Sequence, residues 1–287
     1  MRILKAYSLF SLFALFAAGC LITAGLVAGA NEENKNAPPL YSETDFSRFA
    51  GETLVYSIKW EPPWYMFFLP KMEAGELTFR FKAVDEFRGK PVVKIIIEAR
   101  SSGTLVKLTD MKVEDEFIYY SSPETLCSEG SSSKTREGKR QRRVETEYFQ
   151  NERRLHYRLF DESATPPQLL RDITKTDVPP CVYDPFSALY LYRTLPLAKG
   201  YAKTLTVGNN DKVLEVRARV EKQETVSTQS GKIAAWKVKT DALSGGLFRE
   251  DGDFCFWLSS DERKLPVRFE ASVRLGCIIG VLKSEQP

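Results

Sequence analysis

Val178 to Leu195 reads VPPCVYDPFSALYLYRTL, and the way this stretch folds decides the architecture around it. Asp184 is a residue type that caps a helix N-terminus, Pro185 suits a first helical turn, and Leu195-Pro196 stops the run. Phe186, Leu189, Tyr190 and Arg193 fall at spacings of three and four, which places them on one face. A helix over residues 184–194 with one apolar face needs a surface to pack on. Almost everything else after residue 40 has the period of two that marks strands. The reading predicts a mainly β fold: a single curved antiparallel sheet or open β-barrel of about ten strands, wrapped around this one short helix.

Outward from the helix on its N-terminal side, Leu155 to Phe160 is a strand, and Asp161 to Pro180 is a polar, proline-bounded connection. Earlier, Gly51-Glu52 opens a strand whose alternation runs Leu54, Tyr56, Ile58, Trp60, and another runs from Ala74 to Val84. Pro91 to Arg100, centred on Val92, Val93, Ile95, Ile96 and Ile97, is apolar on both faces and is expected centrally or beneath the helix. In Thr104 to Tyr120, Leu105, Leu108 and Met111 suit a helical turn while Val113 to Tyr119 suits a strand; strand is the reading adopted for both. On the C-terminal side, Tyr201 to Val207, Val213 to Lys222 and Ile233 to Asp241 form a meander turned at Gly208-Asn209-Asn210-Asp211 and Ser230-Gly231. A glycine-containing loop, Leu243 to Gly252, leads to three last strands: Asp253 to Leu258, Leu265 to Val273 and Gly276 to Leu282. No repeat recurs at a fixed period.

Two stretches exceed what packing requires. Glu61 to Met72, EPPWYMFFLPKM, joins two strands that a two-residue turn could join, and sets Trp64, Tyr65, Met66, Phe67, Phe68 and Leu69 in a row. Such a run between prolines either folds back as a lid on the core, the commoner fate and the one expected here, or is displayed to a membrane or an apolar ligand. Trp64, Tyr65, Phe67 and Phe68 are therefore the candidate ligand or partner contacts. Ser131 to Arg154 carries Lys134, Arg136, Lys139, Arg140, Arg142 and Arg143, then Arg153 and Arg154. Glu137-Gly138 and Gln150-Asn151 divide it into hairpin arms with Val144, Thr146 and Tyr148 alternating against Glu145 and Glu147. A solvated hairpin or edge, charged against aggregation, is the favoured reading, with contact to anionic lipid headgroups or polysaccharide as the functional alternative. No aromatic residues interleave the arginines for base stacking, so nucleic acid is not an expected partner.

The first thirty residues have Arg2 and Lys5 as a positive start, an uncharged apolar run and a closing Ala28-Gly29-Ala30. This is the pattern of a secretory signal peptide. Two alternatives use the same residues: lipidation at Cys20 behind Ala17-Ala18-Gly19, and an uncleaved anchor holding the protein at the membrane. Residues 31–40 read as a flexible tether and 41–287 as one β domain. Removing Arg2 and Lys5 from the 41 basic residues leaves 39 against 38 acidic, so bulk charge calls for no polyanion. The exported part keeps Cys127, Cys181, Cys255 and Cys277, an even number in an oxidising compartment, which favours disulfides over metal or catalysis. Cys127 with Cys181 and Cys255 with Cys277 are the expected pairs.

A single histidine, His156, lies in a strand between Leu155 and Tyr157. Catalytic triads and Cys-His dyads would all have to run through it, and zinc sites built on paired histidines are impossible. Ser187 lacks the glycines of a nucleophile elbow and suits a packing contact. No glycine-rich phosphate loop is present, and Asp251-Gly252-Asp253 is a turn without the later ligands of a calcium loop. The chain is expected to have no catalytic activity, no metal and no cofactor.

Three blocks carry a resemblance: Gly51-Glu52 with Leu54, Tyr56 and Ala74-Gly75; Asp184-Pro185-Phe186-Ser187-Ala188-Leu189-Tyr190 with Arg193, Leu197 and Gly200; and Trp257-Leu258-Ser259-Ser260-Asp261 with Leu265-Pro266-Val267-Arg268 and Gly276. In this order and spacing they resemble the bacterial exported family known as domain of unknown function 3108. The resemblance implies an exported antiparallel β protein of the periplasm or outer membrane in a Gram-negative-type bacterium, and brings no catalytic residue with it. The aromatic insertion and the cysteines depart from the family pattern. Asp184, Pro185, Phe186, Leu189, Arg193, Trp257 and Pro266 are expected to be structural. Arg193, at the last helical turn, is expected to reach a carboxylate such as Asp184 or Glu52 rather than a ligand. The function expected is contact with a lipid-like or other amphiphilic ligand in an apolar groove, or docking of an envelope protein through residues 61–72.

Overall fold

The computed structural model describes residues 46–109, 112–240, 254–273 and 276–286. The expectations for the signal segment, Cys20, the tether, the start of the domain before Phe46, the loop at 243–252 and Asp251-Gly252-Asp253 lie outside the described residues.

Among the described residues, fourteen strands form one antiparallel sheet, where about ten were expected. In chain order they are β1 (Thr53–Glu61), β2 (Met72–Phe87), β3 (Lys90–Ser101), β4 (Val113–Ser121), β5 (Ser128–Glu137), β6 (Arg140–Phe149), β7 (Arg154–Asp161) and β8 (Gln168–Lys175). Then follow β9 (Ala202–Asn209), β10 (Lys212–Thr228), β11 (Gly231–Thr240), β12 (Phe254–Ser259), β13 (Pro266–Val273) and β14 (Gly276–Gln286). Two α-helices interrupt them, α1 (Thr104–Thr109) and α2 (Pro185–Tyr192). Of the strands, β8 was not expected: nearly every residue of it is exposed, so its sequence has no apolar alternation to read. Helix α1 replaces the strand expected at Thr104. Gly103, at φ +82°, turns the chain out of β3 and into this six-residue helix.

Each strand pairs with its neighbour in sequence, and β1 pairs with β14, so the ends of the meander are zipped together. The sheet is left open between its two edges, β8 and β9. The connection between those edges is the chain that carries α2, and it enters this seam. Tyr183 makes a parallel bridge to Val207 of β9, while Val182 accepts a hydrogen bond from Ser128 at the start of β5. Val178 and Val182 pack with Val144, Tyr148, Leu155 and Tyr157 of β6 and β7 in a satellite core. The sheet is thus joined across its gap by an irregular segment rather than by a strand.

Inward residues are the alternating ones. Leu54, Tyr56, Ile58 and Trp60 are buried along β1, and Leu77, Phe79 and Phe81 along β2. In β3, Ile95 and Ile97 point inward and Ile96 is half-exposed, so the strand is buried on one face and not on both. Helix α2 corrects the expectation in the other direction. Phe186, Ser187, Ala188, Tyr190, Leu191 and Tyr192 are all buried, and the half-buried Leu189 also packs on the core. Phe186 packs edge-on against Phe79 of β2 and tilted against Tyr119 of β4. On its other side Tyr192 packs on Phe256 of β12 and donates to the carbonyls of Lys203 in β9 and Ala218 in β10. The sheet curls round most of the helix and leaves only the side of Pro185 and Leu189 partly open, and a helix apolar on most sides is the physical result.

Cys127 and Cys181 form a disulfide that ties the β4–β5 connection to the segment before α2. Cys255 and Cys277 do not form the second expected bond. They lie on β12 and β14, with β13 between them, opposite Glu270 and Ser272 respectively. Two strand spacings, with a two-residue offset along β13, put them more than about 9 Å apart, beyond the reach of an S–S bridge.

Candidate functional site

The three sequence blocks meet at one point. Glu52, just before β1, receives a bidentate ion pair from Arg193, the C-cap of α2, at 2.5 and 2.7 Å. Arg193 is 1% exposed; its Nε donates to the carbonyl of Lys264 and a terminal nitrogen to that of Arg263, in the β12–β13 turn. Its guanidinium also lies 4.3 Å from the centre of the Phe49 ring. Tyr190 donates to Glu52, and Tyr56 donates to the carbonyl of Pro266. Burial works against the Arg193 charge, but the Glu52 hydrogen bonds and the Tyr190 hydroxyl beside it more than offset this and raise its pKa. Burial also drives the Tyr56 and Tyr190 hydroxyls well above their ordinary range, so both act as neutral donors. Of the two carboxylates expected for Arg193, Glu52 is the partner. Asp184 is at the far end of the helix, where it accepts from the backbone N–H of Phe186 and Ser187.

Ser187 closes a capping box with Asp184, a role the Asp-x-x-Ser spacing could have revealed. Asp184 is buried, and its second oxygen accepts from Ser121. Burial raises its pKa, and the capping hydrogen bonds oppose that rise. Trp257 is buried, with its indole N–H on Glu224 at 2.6 Å, and Leu189 packs against the core; both are structural.

A cavity of about 610 Å³ opens beside the ion pair, lined by Arg48, Phe49, Glu52, Arg193, Arg263 and Glu285 among others. Its wall is charged, and two of its arginines are already held in bidentate pairs, Arg193 by Glu52 and Arg263 by Glu285. Phe49 and Ala50 are the apolar residues of its lining, among six charged ones.

The other end of the sheet presents a different surface. The meander places the β1–β2, β3–β4 and β5–β6 connections at one rim, and the first of these carries the aromatic run. After Pro62 and Pro63, residues Trp64–Met66 form a single 3-10 turn, held by Met66 N–H on the Pro63 carbonyl and Leu69 N–H on that of Met66. Lys71 and Glu61 form an ion pair at 2.9 Å across the neck. Leu69 alone packs back on the core. Trp64 is 87% exposed, Phe67 86%, Phe68 67% and Tyr65 51%, and the ring contacts of these four are with each other, Trp64 with Tyr65 and Phe67 with Phe68. The expected lid is therefore not formed. Pro62 and Pro63 carry the chain on past the end of β1, and Trp60 and Met72 at the strand ends beside the loop are buried while its four rings stay exposed.

Other candidates resolve as structure. His156 stands on the outer face of β7, its Nε2 2.6 Å from Asp172 and its Nδ1 3.8 Å from Glu147. The basic run forms β5 and β6 as the expected hairpin; its outer face is laced by Arg143 to Glu145 and Glu162 and by Arg158 to Glu145 and Glu147, while Arg142 pairs with Asp161. One buried feature had no sequence signal: Asp115 of β4, whose carboxyl is pushed up to about 8 by burial and by Glu137 nearby. One of its oxygens accepts from the Arg136 N–H, and the other, Oδ2, has no hydrogen-bond partner. Neither acid lines the charged cavity. Among the described residues no three His, Cys, Asp or Glu side chains are grouped to hold a metal, and no helix is long and apolar enough to cross a membrane.

A family model described as "Protein of unknown function (DUF3108)" matches residues 55–283. No curated protein matches the chain. Among solved structures, the β-barrel-like protein of domain of unknown function DUF1849 from Brucella abortus superposes with a TM-score of 0.54 at 10% identity, over 83% of this chain and 97% of that one. That likeness is one of fold. A protein with a YmcC-like fold from Bacteroides fragilis aligns over 83% of this chain and 96% of its own, at 13% identity and a TM-score of 0.29.

Proposed function

We propose, from the premise that this chain belongs to the DUF3108 family of proteins of unknown function, that it is an exported cell-envelope protein without catalytic activity that works by contact through the loop Trp64–Phe68. The observation that carries the reading is the exposure of four aromatic side chains on a braced loop, a surface that a folded protein in water does not keep without a use for it. Export is supported by the signal pattern of residues 1–30 and by the Cys127–Cys181 disulfide, a bond that persists in oxidising compartments such as the periplasm. The contact is placed at the loop and not in an interior groove because α2 and the core aromatics occupy the interior.

A photoreactive residue in place of Phe67 tests this in living cells. The expected result is an ultraviolet-dependent adduct, with lipid or with an envelope protein, that is absent when the same residue replaces an outward position of β10 such as Leu214. The absence of any adduct at position 67 would overturn the contact reading.

A further inference from the structure

We infer that the rim bearing Trp64–Phe68 is a membrane-docking surface that seats on an anionic lipid bilayer, an inference that rests on the reading of this loop as the contact site. Three features of the rim point to a bilayer rather than to a single carried lipid or a protein. The first is shape. A carried lipid needs a concave wall around its chains, whereas Trp64 and Phe67 stand at a convex tip with nothing beside them but their sequence neighbours. The second is stiffness. The 3-10 turn, the prolines on both sides and the Glu61–Lys71 neck hold the tip in one conformation, so little chain entropy is lost when it enters an interface.

The third is the charge around the tip. The β3–β4 connection lies against the base of the aromatic loop, with Ser102 N–H on the Ala74 carbonyl, and the β5–β6 turn joins it through Gly138 N–H on the Lys112 carbonyl. These connections expose Lys107, Lys112, Lys139 and Arg140 beside Lys71 of the neck. Against them stand exposed Glu73 and Glu114, while Glu61 is held by Lys71 and Glu137 is buried 3.8 Å from Arg140. With both members of those pairs set aside, Lys107, Lys112 and Lys139 stand against Glu73 and Glu114 among the described residues of these connections, so a group of lysines lies behind an apolar tip. Aromatic rings at headgroup depth, with lysines reaching the phosphates on flexible stems, is the arrangement of an interfacial anchor. It differs from a protein-docking patch, where lysine is depleted.

Flotation of the mature chain, residues 31–287, with vesicles reads this directly. The expected result is co-flotation with vesicles of phosphatidylethanolamine and phosphatidylglycerol, weaker flotation with phosphatidylcholine alone, and loss on raising salt. The Trp64→Ala/Phe67→Ala/Phe68→Ala variant should partition at least about tenfold less, with an unchanged circular dichroism spectrum. Wild-type protein that floats with neither vesicle, or a triple variant that floats as well as wild type, overturns the inference. The cellular crosslink keeps the two readings apart. Protein adducts at position 67 without vesicle binding would leave the contact reading standing and remove the bilayer; no adduct and no flotation would remove both.

Discussion

Phe186 and Phe67 are the same residue type in two settings, one 2% exposed inside the sheet and the other 86% exposed at its rim. Around Phe186 the polar side chains of the helix and its two ends have partners: Asp184 caps the N-terminus, Arg193 meets Glu52, and Tyr190 and Tyr192 donate to a carboxylate and to carbonyls. Around Phe67, among the described residues, Leu69 is the apolar side chain of the loop that packs on the core. The plug consumes its aromatics in stability, while the loop leaves its own available. A side chain that does nothing for the fold is where contact with something else is to be sought, and mutation can break or sharpen that contrast.

The largest effects belong to the plug. Phe186→Ala is expected to cost about 3–5 kcal/mol, because the surrounding rings cannot collapse onto the space it leaves. Arg193→Ala is expected to cost a similar ~3–5 kcal/mol by stranding Glu52 in the interior. Leu189→Ala, at a half-buried site, should fall below both. Urea unfolding reads all three, and a loss under about 1 kcal/mol for the first two would mean that the helix is not the plug.

Next comes the bond that leads into the helix. Cys127 and Cys181 close a loop of 54 residues, and reduction is expected to lower stability by about 2–4 kcal/mol, chiefly by freeing the unfolded chain. A melting temperature indifferent to reductant would show that the hydrogen bonds of Val182 and Tyr183 hold the seam without it. Cys255 and Cys277 supply the internal control, since thiol labelling of the unfolded, unreduced chain should find both of them and neither of the other pair. Burial pushes the Cys277 thiol up to about 12, so the folded protein should label slowly at that position.

A smaller effect, in the opposite direction, is expected at Asp115. An unfolded aspartate titrates near 4, and this one near 8, so between those values the folded state holds a proton that the unfolded state has lost. The stability tied to it is complete below pH 4 and is lost as pH rises through about 8. Asp115→Asn keeps the neutral form at every pH. It should match wild type in acid and exceed it above pH 8 by on the order of 1–3 kcal/mol. Equal stability of the two proteins across that window would mean that Asp115 is ionised in the fold.

How much of this was legible depends on whether a residue's role lies in its own neighbourhood. The strand period at Leu54, Tyr56 and Ile58 and the cap at Asp184-Pro185 are local signals, and both read correctly. Strand β8 was missed because an edge strand with little burial has no apolar alternation to show. The helix was expected to be amphipathic because its sequence displays a single stripe of Phe186, Leu189, Tyr190 and Arg193; that a sheet would close on its other sides is a property of the topology. Cys255 and Cys277 looked like neighbours because both lie in the last strands, and the strand order separates them. The lid expected of Trp64–Leu69 failed because no sequence signal reveals that Trp60 and Met72, at the strand ends beside the loop, are buried while its rings stay exposed. Asp115 beside Glu137 emerges only once β4 and β5 are in register.

The smallest expected effect is the one that decides the contrast. Trp64→Ala, Phe67→Ala and Phe68→Ala should each change stability by no more than about 0.5 kcal/mol, the range of surface substitutions that touch no core, cap or ion pair. Leu69→Ala, two residues beyond Phe67, should cost more, because it is the residue of this loop that reaches the core. A gradient of that kind along consecutive positions is what a displayed tip on an anchored base must give. Were Phe67→Ala instead to cost more than about 1.5 kcal/mol, the side chain would have to be packed in solution. The loop would then be a lid, its aromatics would belong with those of the plug, and the case for contact at the rim would fall with the exposure on which it rests.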